Sequence, residues 1–166
     1  MTATDPLGAS TSYAFTAIVD MPLAAIDVPD GGYVDANCDG VDGDLRRAYF
    51  VSPAGSDTGA GTALDPFRTI GRGVAAAAAD PVRKQVLVAA GTYAEQVTMA
   101  DGVGVFGQYD AGWARAAANA TVIASPTAIG VDVADTRATG YLEGLIIQTA
   151  DAGPGASARA VALRDL

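Results

Sequence analysis

Short apolar bursts separated by polar corners dominate the middle of this chain. From Lys84 to Gly107 (KQVLVAAGTYAEQVTMADGVGVFG) three bursts follow one another, Val86–Val88, Val97–Met99 and Val103–Phe106. Ala90-Gly91-Thr92 and Asp101-Gly102 separate them. Bursts of three or four residues are too short for helices and read as strands bounded by turns. Val86, Val88, Val103 and Val105 alternate as the inward face of strands requires. Three strands re-aimed by tight corners within about twenty residues are what one turn of a parallel β-coil needs.

The same pattern returns downstream. Val86, Val103, Val122, Leu142 and Val161 each lead an apolar burst, at steps of close to twenty residues, which predicts a solenoid whose turns stack. Val97–Met99 and Val131–Val133 fall between the leads, as other faces of a coil would. Upstream, Ala48–Ser52 predicts a strand. Tyr13, Phe15 and Ala17 alternate with small polar residues and read either as one more strand or as linker.

Only one segment has helical spacing. Asp65 stands as N-cap with Pro66 at the first helical position, where its missing N–H costs nothing. Phe67, Ile70, Val74 and Ala77 or Ala78 recur at three- and four-residue steps. The spacing predicts a helix over Pro66–Ala79, stopped by Asp80-Pro81. Gly71 and Gly73 weaken it by about 1 kcal/mol each relative to Ala, so it depends on docking.

Charge sharpens the division of the chain. Net charge is −9 over 166 residues. Residues 1–44 hold eight Asp and no Lys or Arg, which leaves eleven acidic and ten basic residues for 45–166. Clustered cations for nucleic-acid phosphates are missing. No histidine occurs, which removes Ser–His and Cys–His nucleophile pairs and His-ligated zinc. No apolar run reaches the length of a membrane span. No basic n-region precedes an apolar run either, since the first basic residue is Arg46. Cys38 is alone, so no intrachain disulfide forms.

The sharpest local motif lies in the acidic part, DGGYVDANCDGVDGD over 30–44. Asp35, Asn37 and Asp39 alternate, and Gly40 follows. Three side-chain oxygens on one side of a turn, with a glycine to fold the chain back, is the chemistry of a calcium loop. The carbonyl of Val41 would be the next ligand. Position twelve is Arg46 rather than a bidentate Glu, so Asp42 or Asp44 would have to close the shell. The alternative is a solvated cluster of Asx turns.

From Asp35 to Leu166 the chain resembles the N-terminal part of secreted bacterial pectate-lyase-like right-handed β-helix proteins, an uncharacterised surface family. The pieces that carry the resemblance are DANCDGVDGD, YFVSPAGSDTGAGTALDPFRTIGRGVAAA, VLVAAGTYAEQV, GVGVFGQYDAGWAR and GASARAVALRDL, in that order. The resemblance implies an all-β, right-handed parallel β-helix of pectin-lyase-like type with an N-terminal capping helix. It also implies an extracellular or cell-surface location. Where members act on glycans, the resemblance implies calcium held by carboxylates with an Arg or Lys base, on coils later than those seen here.

Other candidate chemistry competes with plainer readings. In the loop QYDAGWAR, Tyr109 and Trp113 with Asp110 and Arg115 could stack on and bond a sugar, or could be a packed loop with an Asp110–Arg115 surface pair. Thr92–Glu95 reads as a corner with Tyr93 inward and Glu95 in solvent. Asp132, Asp135, Arg137 and Glu143 could form an acid–base set, but their spacing does not bring them together.

These readings divide the chain into a linker or preceding segment at 1–34, a calcium-type loop at 35–47, and the cap and first coils of a β-helix at 48–166. The strand-like Val161–Leu166 has no polar cap after it, which predicts a fragment or a self-associating end. The expected function is a non-catalytic portion of an extracellular β-helix, a structural or glycan-contacting surface with calcium at Asp35, Asn37, Asp39, Val41, Asp42 and Asp44. The partner would be a polysaccharide or cell-envelope glycan. The alternative is the start of a polysaccharide lyase or glycoside hydrolase whose active site lies in later coils.

Overall fold

A computed structural model describes residues 2–4, 10–12, 26–134 and 137–164. β1 (Thr2–Thr4) and β2 (Ser10–Ser12) pair antiparallel. The Tyr13–Ala17 stretch, read as strand or linker, lies outside the described residues, as does Asp135.

Every other strand among the described residues pairs in parallel. β3 (Ala48–Val51), β4 (Gln85–Ala89), β7 (Gly104–Tyr109) and β10 (Tyr141–Glu143) form the first sheet. β5 (Gly91–Tyr93), β8 (Thr121–Ala124) and β11 (Ile146–Gln148) form the second. β6 (Val97–Thr98), β9 (Ile129–Ala134) and β12 (Arg159–Arg164) form the third. From β4 onward the chain visits the three sheets in strict rotation. The described residues are therefore all-β and mostly parallel, three parallel sheets besides the β1–β2 pair, with one short helix.

Register fixes what faces inward. Tyr49, Val86, Val105 and Leu142 are successive partners across the first sheet. Tyr93, Ile123 and Ile147 line up in the second, and Val97, Val131 and Val161 in the third. Tyr49, Val86, Val105, Tyr93, Ile123, Val97 and Val131 meet in one buried cluster, with Leu142 and Ile147 packed against it, while Val161 at the end of its column is exposed. The corners are made by Gly91 and Gly102, whose φ values of 148° and 68° suit glycine.

The expected twenty-residue repeat is not the repeat of the structure. The first sheet steps by 19 and 37 residues (86 to 105 to 142), the second by 30 and 24 (93 to 123 to 147), the third by 34 and 30 (97 to 131 to 161). Val122 and Val161, read as leads equivalent to Val86, belong to the second and third sheets. Loops of unequal length, such as 110–120 after β7, spoil the period while leaving the pairing intact.

The helix is also shorter than predicted. α1 spans Ile70–Ala79, with Thr69 as N-cap and Asp80 as C-cap. Pro66 and Phe67 precede it because Phe67 bridges to Val51 at the edge of the first sheet instead. The Phe67 N–H donates to the Phe50 carbonyl and the Ser52 N–H to the Phe67 carbonyl, both at 2.9 Å. Asp65 caps a turn, accepting the Ala60 N–H at 2.8 Å. α1 buries Ile70, Gly73, Val74 and Ala77 against β3, β4 and β6. Gly73 has a use there: a Cβ would lie 2.8 Å from both Val51 and Val86 side chains.

The first sheet is buried on its outer face too. Ala48, Phe50, Leu87, Ala89, Phe106 and Tyr109 form a second apolar cluster with Val41 and Trp113. The cover comes from loops, chiefly 26–47 and 110–116.

Candidate functional site

The acidic loop lies over this outer face. Asp35 accepts the N–H groups of Asp39 (3.1 Å) and Gly40 (2.9 Å) on its two oxygens. Asn37 accepts from Asp39, and Asp39 accepts from Val41 and Leu45. Gly40 takes a φ of 103°, and Cys38 an unusual 56°; Cys38 is exposed. Asp39 Oδ2 accepts a second bond, from the Asn37 side-chain amide at 3.0 Å, so these side chains hold one another as well as the loop's own N–H groups.

Asp42 and Asp44 do not join them. Asp42 is buried and paired with Arg115 at 2.9 Å. Asp44 accepts the Arg46 N–H and pairs with Arg47 at 3.3 Å. Among the described residues, no three His, Cys, Asp or Glu side chains converge as a metal cage would. Of the expected ligand set, Asp35, Asn37 and Asp39 stay together in a run of Asx-type turns, and Asp42 and Asp44 are drawn away to arginines.

Arg115 is the electrostatic centre of the outer face. Its side chain is fully buried. Nε donates to the Gly107 carbonyl (2.9 Å), Nη1 to the Asp30 carbonyl (2.8 Å) and to Asp42, and Nη2 to Glu143 (2.9 Å). Tyr33 and Tyr109 rings flank its guanidinium at 5.4 and 5.6 Å. Burial works against its charge, and the hydrogen bonds to Asp42 and Glu143 outweigh that, holding it more firmly protonated. Burial raises the Asp42 carboxyl above its ordinary value, opposed by Arg115. Tyr109 donates its phenol to the Asp42 carbonyl, and burial raises that phenol well above its ordinary value.

The candidate glycan contacts are therefore interior. Tyr109 is 0% and Trp113 and Arg115 each 8% exposed. Trp113 donates Nε1–H to the Ala63 carbonyl and packs edge-on against Phe50. Neither ring offers a free face to a sugar. The expected Asp110–Arg115 pair is replaced as well, because Asp110 caps its own turn through the Gly112 and Ala114 N–H groups.

Two of the remaining candidate acids sit in ion pairs. Asp132 pairs with Arg164, and Glu143 with Arg115. Arg137 is held by its backbone N–H on Asp101. Tyr93 is inward as expected, but Glu95 is not in solvent. Half-buried, it accepts the Ile70 and Gly71 N–H groups at 2.8 and 2.9 Å, the first amides of α1. Burial raises its carboxyl above the ordinary value against those two bonds.

The structural roles of Arg115 and Gln85 are not legible locally: Gln85 is a long polar side chain at the start of an apolar strand, and Arg115 lies in a polar loop between β7 and β8.

Fold and site together define an all-β protein of parallel sheets with a pinned acidic loop. Residues 53–112, from the loop after β3 to the turn after β7, match the family described as a protein of unknown function, DUF1565. Neither curated proteins nor solved structures match the chain.

Proposed function

We propose that this chain is a non-catalytic scaffold, the capped N-terminal portion of a right-handed parallel β-helix in an extracellular or cell-surface protein, with one calcium loop. The observation that carries the scaffold reading is the rotation of β4 to β12 through three parallel sheets, joined to the structural use of the candidate acids and bases. α1 would plug the end of the coil beside β3. Asp35, Asn37 and Asp39 would hold calcium, which supplies charge neutralisation and loop order.

Incubating the chain with pectate or alginate in calcium, and following the absorbance of unsaturated uronates, should show no product. Product release would overturn the scaffold reading in favour of a lyase. For the loop, extracellular calcium modules bind at roughly 10⁻⁴–10⁻³ M. At about 2 mM calcium that stabilises by roughly 0.6–1.8 kcal/mol, or roughly 1–7 °C in melting temperature. Asp39→Ala should abolish the shift, and equal melting in calcium and in chelator would return the loop to a cluster of Asx turns.

A further inference from the structure

The loop that carries Asp35, Asn37 and Asp39 is held by buried side chains beneath it: Gln85 on β4, Arg115 in the turn after β7, and Tyr109 on β7, whose phenol donates to the Asp42 carbonyl. The outer clamp is Gln85 on β4. Its amide donates to the Asp27 carbonyl (2.5 Å), and its carbonyl oxygen accepts the Asp44 N–H (2.9 Å). The inner clamp is Arg115, whose Nη1 donates both to the Asp30 carbonyl and to the Asp42 carboxylate. One pair of loop positions, 27 and 44, is thus nested around another, 30 and 42.

The loop adds little of its own to this attachment. Residues 26–44 contain no strand or helix. The backbone link to β4 comes only where the segment ends, the Gln85 N–H donating to the Arg47 carbonyl at 3.2 Å. From residues 26–44 only Val41 enters the outer apolar cluster. Tyr33 adds a hydroxyl bond to Gln108 at 3.2 Å. Within the loop, Asp27 ties the Ala36 and Gly43 N–H groups at 3.0 and 3.3 Å, drawing the two limbs together. Such a segment opens locally unless its ends are fixed, and fixing them removes the closure entropy of the chain between.

We infer that Arg115 and Gln85 are positioning residues that preform the acidic loop, so that its oxygens are already arranged when a divalent cation arrives. The inference rests on the calcium reading for its ligand, but the clamp is a property of the chain alone. A guanidinium suits the task because its planar fork reaches a carbonyl and a carboxylate at once. A lysine ammonium would keep the charge and lose that geometry.

The test is hydrogen exchange on the metal-free chain, with calcium titration by calorimetry beside it. Three variants serve: Arg115→Lys, Gln85→Met and, as a mild change that leaves the Asp30 bond in place, Asp42→Asn. The Asp39, Gly40 and Val41 amides should exchange about tenfold faster or more in Arg115→Lys, while those of β4 and β7 keep their protection. Calcium affinity should fall with loop protection across the three variants. Unchanged loop exchange in all three, or loss of protection spread equally over loop and sheets in Asp42→Asn as well as Arg115→Lys, would overturn the clamp. Absence of calcium binding in the wild type would overturn the calcium reading alone, since the exchange arm still decides the clamp.

Discussion

Tyr93 donates its hydroxyl to the carbonyls of Ala89 and Val51, at 2.8 and 3.4 Å, from a ring buried in the inner cluster. Burial raises this phenol well above its ordinary value, so it stays a neutral donor at physiological pH. Tyr93→Phe keeps the ring and removes the donor, which should cost about 1 kcal/mol. Melting temperature should then fall by roughly 2–4 °C; no change would show that water replaces the bond. The inward direction of Tyr93 was legible from its place in a corner after an apolar burst. Arg115 was not. Its acidic neighbour in sequence is Asp110, whereas its partner is Asp42, 73 residues away. That pairing depends on the loop crossing the outer face of β4 and β7, which no local pattern encodes.

At the scale of the element, α1 shows how three separate segments make one helix start. Thr69 accepts the Arg72 N–H at 3.2 Å. Asp57 accepts the Arg68 and Thr69 N–H groups at 2.9 Å and the Thr69 hydroxyl. Glu95 takes the next two amides. A ten-residue helix is marginal alone, so these caps and the docking face decide it. Thr69→Ala should cost about 1 kcal/mol and lower the urea midpoint without changing the slope; a change in slope instead would mean the compactness of the folded or unfolded state had changed. The apolar face Ile70, Val74, Ala77 was legible from spacing. The start was not, because a proline four residues earlier satisfies the same local rule while Phe67 is claimed by the edge of β3.

For the whole molecule, acid is the informative variable. The Arg83 and Val82 N–H groups hold the Asp80 carboxyl well below its usual range, helped by the Arg83 side chain. Burial works against Asp57, but the Thr69 and Arg68 bonds outweigh it and lower it too. Carboxylates with lowered folded values stabilise above the unfolded value of about 3.9 and lose that contribution as pH falls through the folded value. Glu95, raised by burial, has the opposite sign: its contribution is present below about 4.3 and is lost as pH rises through its folded value. Melting temperature should therefore fall below about pH 4, and Asp80→Asn should flatten that fall. An acid limb identical to wild type would remove Asp80 from the account. The parallel, all-β character was legible from short bursts and corner glycines. Burial of both faces of the first sheet was not: Val86 and Val88 read as inward with Leu87 outward, and Leu87 is fully buried under the outer loops.

Trp113 is the chain's single tryptophan. It sits in that outer cover, edge-on to Phe50 at 4.6 Å and near Tyr109 at 6.4 Å, its indole N–H on the loop carbonyl of Ala63. The inner cluster contains none of its atoms. The protein thus carries an intrinsic fluorophore segregated to one side of a sheet. Its emission reports the layer that holds the acidic loop, while circular dichroism reports the strands, and the two signals together separate loosening of the cover from unfolding of the scaffold without any attached dye.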